Sequence, residues 1–84
     1  MASLLAVDLG LRTGLALYAD DGRLRWYRSH NFGARPRLKR GIHALLAENA
    51  DLQWLVLEGG AFADLWEHAA AKRAIPVLRV SAEQ

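Results

Sequence analysis

Asp8 and Glu58 are the two residues whose setting suggests chemistry. Each carboxylate ends an apolar run: Leu4-Leu5-Ala6-Val7 leads into Asp8, and Trp54-Leu55-Val56-Leu57 leads into Glu58. Glycine follows both times, Gly10 and Gly14 after the first acid, Gly59 and Gly60 after the second. A short apolar run bounded by turn residues reads as a buried strand. An acid at its end is costly unless a charged or hydrogen-bonding partner receives it, and glycine lets backbone approach a ligand closely. Two carboxylates roughly 4 Å apart repel by about 4 kcal/mol at an effective dielectric of ~20. A hard divalent cation such as Mg²⁺ or Mn²⁺ turns that repulsion into attraction and takes oxygen ligands. A two-metal arrangement of that kind generates a hydroxide nucleophile and stabilises the leaving oxygen of a phosphodiester. Two acids supply part of such a site, so the expected metal affinity is weak.

Plainer readings exist for the same residues. Asp8 can be a turn aspartate bonded to the amides of Gly10 and Leu11, and Glu58 a lone strand-end residue. Thr13 reads as a turn residue ahead of a phosphate-binding hydroxyl. His30, His43 and His68 have no spacing that makes a metal site and read as surface or satisfied residues. Trp54 and Trp66 read as core.

Charge is placed unevenly. The chain has 84 residues and a net charge of only +2, but residues 23–40 hold seven of its eleven basic residues and no acid. Arg23, Arg25, Arg28, Arg35, Arg37, Lys39 and Arg40 form this block, with Trp26 and Tyr27 interleaved. Cations with aromatics among them suit a nucleic-acid backbone and its bases; a solvated helix face is the simpler alternative. Cysteine is absent, which excludes disulfides and thiolate metal sites. There is no signal peptide and no apolar run long enough to cross a membrane, so a cytoplasmic location is the default. The length suits one small domain.

The elements that must position these residues follow from periodicity. Strands are expected at about 4–8, 14–19, 24–32, 54–58 and 77–80. Asp20-Asp21-Gly22 marks a tight hairpin between the second and third. On the third strand, Leu24, Trp26, His30 and Phe32 are expected to share one face. Pro36 suits a first helical turn, and Leu38, Ile42, Leu45 and Leu46 follow with helical spacing. A second helix is expected from about Phe62 to Arg73, burying Phe62, Leu65, Trp66 and Ala69. The order is β-β-β-α-β-α-β.

This order, with Asp ending strand one and Glu ending strand four, resembles the ribonuclease H-like fold. Within it, the sequence resembles the RuvC-like Holliday junction resolvases and their YqgF-type relatives. The likeness is carried by Leu5-Ala6-Val7-Asp8-Leu9-Gly10-Leu11-Arg12-Thr13-Gly14 and Leu55-Val56-Leu57-Glu58-Gly59-Gly60-Ala61-Phe62. It implies an α/β mixed sheet of order 3-2-1-4-5 with both helices on one face, in a single domain over residues 1–84. It implies a Mg²⁺- or Mn²⁺-dependent endonuclease acting on structured DNA or RNA, with Asp8 and Glu58 as metal ligands and catalytic residues. Gly10, Gly14, Gly59 and Gly60 would bring backbone close to the ligand, and Arg12, Arg35, Arg37, Lys39 and Arg40 would meet phosphates. The family continues into further helices, one of which supplies one or two more aspartates; the sequence stops at Ser81-Ala82-Glu83-Gln84. A non-catalytic nucleic-acid-binding or interaction module of the same fold is the main alternative. An actin-like ATPase fragment, whose phosphate loop also opens Asp-x-Gly, is a lesser one.

A last expectation concerns the sheet itself. Strands one and four are apolar on both faces, as in a sheet covered twice, while both helices fall on one side. Leaving about five large aliphatics exposed would forfeit on the order of 8–15 kcal/mol, comparable to a small domain's entire stability. A homodimer, or C-terminal helices beyond this sequence, is expected to cover that face.

Overall fold

Turn chemistry and hydrophobic period build seven elements, seen in a computed structural model that describes residues 2–80. They are β1 (Ala2–Asp8), β2 (Arg12–Ala19), β3 (Leu24–Asn31), α1 (Arg35–Glu48), β4 (Trp54–Glu58), α2 (Ala63–Lys72) and β5 (Val77–Val80). They form one five-stranded mixed sheet in the order β3-β2-β1-β4-β5. The first three strands pair antiparallel, and β4 and β5 add in parallel. This is the expected α/β architecture and strand order.

The Asp20-Asp21-Gly22 turn closes as its composition dictates. Gly22 takes φ 86, its amide donates to the carbonyl of Ala19, and the Ala19 amide donates to the carbonyl of Arg23. α1 starts at its Pro36 turn without a side-chain cap and buries Leu38, Ile42, Leu45 and Leu46, the stripe its spacing predicts. Leu5, Val7, Leu15, Leu17, Leu55 and Leu57 from the strands join them and α2's Trp66 and Ala69 in one core. Both helices therefore lie on one side of the sheet. No helix among the described residues is long and apolar enough to cross a membrane.

Three details differ from the expectations. On β3, Leu17 pairs with Trp26 while Tyr18 pairs with Leu24. Arg25 is thus the extra residue of a β-bulge, which reverses the alternation around it. Trp26 then packs against the core, whereas Leu24 stays exposed beside Tyr18 on the opposite face. Trp54 is not core: it is 47% exposed. Finally, α2 starts one residue late because Phe62 takes φ 63 as its N-cap. Phe62 and Leu65 pack at the margin of the core, and Ala63 and Ala70 take the buried places with Trp66 and Ala69.

Candidate functional site

Strand register brings the two acids together. β1 and β4 are parallel neighbours paired residue for residue, Leu4 with Trp54 through Asp8 with Glu58. Alternation then sends both side chains to one face. Because Leu5, Val7, Leu55 and Leu57 point into the helix-covered core, Asp8 and Glu58 stand on the open face, at the C-terminal ends of their strands. Both are exposed. Neither is in an ion pair with a described residue, unlike Asp21, Asp64 and Glu67, which pair with Arg23, Arg35 and Arg79.

Several contacts fix the backbone around them. The Leu9 amide donates to the Glu58 carbonyl at 3.0 Å, so the chain leaving β1 is tied to the end of β4. Thr13 is fully buried and its hydroxyl donates to the Gly10 carbonyl at 2.8 Å. Thr13 therefore closes the Gly10 turn and presents no free hydroxyl to a phosphate. Gly59 takes φ 102, a conformation that L side chains rarely adopt, and turns the chain sharply after Glu58. Its carbonyl accepts from Nη2 of Arg79 at 3.4 Å, while Nη1 of Arg79 donates to Glu67 at 2.9 Å. Gly60 has open space around it.

Gly14 lies opposite Asp8 on β2. A Cβ there would sit 3.2 Å from the Asp8 Cβ and 3.3 Å from the Tyr27 hydroxyl. Glycine at this position lets the Tyr27 side chain lean across β2 toward the carboxylate end. The outcome is a cavity of about 340 Å³ floored by Ala6, Gly14 and Ala16 and walled by Tyr27, Val56 and Val80, with Asp8 and Glu58 at its head. The motifs around the two acids did not point to Tyr27 as part of this site. The signal for it was the hairpin register, which places Tyr27 opposite Ala16.

The expected phosphate contacts divide by position. Arg12 pairs with Asn31 in the sheet, one turn from Asp8, and is exposed. α1 begins at this same end, since β3 runs antiparallel to β2 and leads into it. Arg35 at the start of α1 is engaged by Asp64 of α2, and its guanidinium lies 5.9 Å from the Phe62 ring centre. Hydrogen bonding to Arg35, the largest cause, holds the Asp64 carboxyl below its ordinary value. Arg37, Lys39 and Arg40 are exposed, but α1 covers the face opposite the carboxylates. Arg28 stacks over Trp26 at 3.9 Å. The basic block is thus spread over two sides of the molecule, and only its Arg35–Arg37 end shares the carboxylate end of the sheet with Arg12.

Hard carboxylate oxygens without a protein cation suit a divalent metal of the Mg²⁺ class. Among the described residues, no group of three or more His, Cys, Asp or Glu is placed to hold one. The carboxylates that could hold such an ion are the two of the Asp8–Glu58 pair. No family model matches the chain, and no curated protein matches it either.

Proposed function

We propose that this chain carries a RuvC-like, metal-dependent nuclease domain for phosphodiesters of structured DNA or RNA, furnished here with two of the carboxylates such a site uses. The observation that supports this is the in-register pairing of Asp8 with Glu58 at the ends of parallel neighbouring strands. Asp8 and Glu58 would hold the metal. The bound ion would supply Lewis-acid activation of a phosphate oxygen and of the attacking water. Arg12 and Arg37, at the same end, would draw the nucleic-acid backbone toward the pair, and the Gly59 turn keeps bulk away from its approach.

A titration tests the metal step. With two acidic ligands, a dissociation constant of about 1 mM is expected, equivalent to roughly −4 kcal/mol. Adding Mg²⁺ should shift the amide resonances of residues 8–12 and 57–60 in a saturable way, and Asp8→Asn should abolish the shifts. No saturable change at tens of millimolar metal would overturn the reading. Branched DNA and structured RNA should bind with a steep loss of affinity as salt rises, and reversing Arg37, Lys39 and Arg40 to Glu should remove that binding. The two-acid donor set also favours a second reading, a binding module of the same fold without cleavage. Salt-sensitive binding with no cleavage under saturating Mn²⁺ would select it.

A further inference from the structure

We infer that the cleft between β3 and α1 binds a guanine base, on the side of the sheet opposite the carboxylates. The bulge at Arg25 turns Trp26, Arg28 and His30 toward the helices, since they pair with Leu17, Leu15 and Thr13, which are buried there. α1 leaves this edge of the sheet uncovered, and Arg28 and His30 are exposed. The stripe of α1 that lines the cleft carries Gly41, Ala44 and Glu48, so two of these three positions hold almost no side chain. The gap is a cleft of about 420 Å³, with the buried Leu15 and Leu45 as its floor and Arg28, His30 and Phe32 along the strand side. That volume falls within the ~300–1,000 Å³ of small-molecule sites.

The lining selects a planar, hydrogen-bonding ring. The His30 and Phe32 rings lie with their centres 4.3 Å apart, and Phe32 is seated against α1 because Gly41 has no Cβ to strike it. Stacking on Trp26 at 3.9 Å holds the Arg28 guanidinium. Unpaired bases stack on such rings and guanidinium planes and are read along their Watson–Crick edges. Glu48 is the acid that lines the cleft, across from Arg28 on the strand side, and neither is in an ion pair with a described residue. A carboxylate accepts two adjacent N–H groups. Guanine presents two along that edge, the ring N1–H and the N2 amino group. Adenine and cytosine place an acceptor nitrogen beside their amino group, and uracil flanks its one N–H with carbonyls; both arrangements repel a carboxylate. Arginine donates to guanine O6 and N7. Arg37 and Arg40 precede Gly41 and Ala44 by four residues, one turn nearer the start of α1, and both are exposed. They would meet the phosphate of the same nucleotide. A free nucleotide and an unpaired guanine within DNA or RNA share this chemistry, and only the second rests on the nucleic-acid reading proposed above.

Amide titrations of the 84-residue protein with the 5′-monophosphates of guanosine, adenosine, cytidine and uridine are the test. The guanosine nucleotide should shift residues 28–32 and 41–48 saturably, with a dissociation constant of about 1 mM. The other three should bind at least about 10-fold more weakly, the discrimination of one bidentate pair. Glu48→Gln should erase that preference, because an amide oxygen beside an amino group no longer accepts both N–H groups. Ala44→Leu, which fills the cleft, should remove the shifts. Ala47→Leu, exposed on the same helix and away from the cleft, should leave them unchanged. Circular dichroism shows which variants keep the fold, and Glu48→Gln decides the matter if Ala44→Leu does not. A nucleic-acid hairpin with one unpaired guanine distinguishes the sources. Tighter binding than its fully paired counterpart, with shifts at the same residues, assigns the cleft to nucleic acid; shifts with the nucleotide alone assign it to a free ligand. No saturable shift with either probe, equal affinity for the four nucleotides, or a guanine preference that survives Glu48→Gln overturns the proposal. The Mg²⁺ response is read at residues 8–12 and 57–60, so failure of either idea leaves the other standing.

Discussion

The two faces of the sheet are made from alternate residues of the same strands, yet their environments are opposites. On one, Leu5, Leu55 and Leu57 have no exposed surface, because α1 and α2 lie over them. On the other, Leu78 is 52% and Tyr27 64% exposed, although Leu78 is as apolar as the covered leucines. A one-sided antiparallel sheet would show polar residues there. The contrast shows an apolar surface that neither helix covers, with its polar side chains, Asp8 and Glu58 together with Arg12, Ser29 and Asn31, gathered at one end. Their chemistry comes from interrupting an apolar surface at a strand end.

The largest test of this contrast compares two leucines on neighbouring strands. Leu55→Ala should cost about 2–5 kcal/mol, the range for a fully buried leucine that leaves a cavity. Leu78→Ala, measured by urea unfolding at concentrations where the chain is monomeric, should stay within about 0.5 kcal/mol. Comparable losses at the two positions would mean that the open face is already buried in the monomer. Trp66→Ala should fall in the ~3–5 kcal/mol range. Trp66→Phe should cost much less, because the indole Nε1 is buried without a hydrogen-bond partner and its loss leaves no acceptor stranded.

A smaller effect tests the carboxylate end. Gly14→Val should destabilise by about 1–3 kcal/mol through crowding, since its Cβ would press on the Asp8 Cβ and the Tyr27 hydroxyl. Gly60→Ala, with open space around it, should be within about 0.5 kcal/mol of neutral. Amide shifts of residues 8–12 should move in the first variant and not in the second. Equal behaviour of the two glycines would show that Gly14 is not what makes room beside Asp8.

How far the sequence revealed these features follows from the range of the signals. Asp8 and Glu58 were legible because an acid ending an apolar run is a local pattern; the strand order came with the resemblance, and crossover handedness then put both helices on one face. The bulge at Arg25 was not legible, since alternation carries no mark for an inserted residue and a slip of one residue exchanges faces. That is why Leu24 and Trp26 were expected together and lie apart. Trp54 was expected in the core because it opens an apolar strand, but the register with Leu4 puts it on the face that no helix covers. Gly41 is a further example. A Cβ there would come 2.2 Å from Cε1 of Phe32, so the glycine seats a ring nine residues earlier in the chain, and helical periodicity contains no trace of that contact. The Arg35–Asp64 and Arg79–Glu67 pairs join residues 29 and 12 apart, beyond any local pattern.

A gain in stability is expected where backbone strain has no packing to justify it. Ala74 sits at φ 55 after α2 and is exposed. Left-handed backbone costs a non-glycine residue about 1–2 kcal/mol, and the greater freedom of glycine in the unfolded chain offsets about 0.4–1 kcal/mol of the relief. Ala74→Gly should therefore stabilise by about 0.5–1 kcal/mol on balance, read as a higher urea midpoint. Phe62, at φ 63, should behave oppositely, because its ring packs against the core and its removal loses that contact.

The smallest effect belongs to the helix layer and to pH. His43 on α1 has its Nδ1 3.1 Å from Nη1 of Arg73, whose Nη2 donates to the His43 carbonyl at 3.4 Å. With Arg73 as donor, His43 accepts through an unprotonated nitrogen, so the contact needs the neutral ring. Desolvation, followed by the charges of Arg73, Lys72, Lys39 and His68, holds the His43 pKa below its ordinary 6.5. The unfolded chain keeps the ordinary value and therefore binds more protons below it. The contribution of His43 is complete above pH 6.5 and is lost as pH falls from there toward the lowered folded value. The ring is only partly buried, so solvent screening keeps the change small. Asp64, the other shifted group, titrates from an ordinary value of 3.8 downward and leaves the window between pH 7 and 5 clear. Urea midpoints should decline slightly across that window in the wild type, and the decline should flatten in His43→Gln. An unchanged slope in the variant would remove His43 from the account.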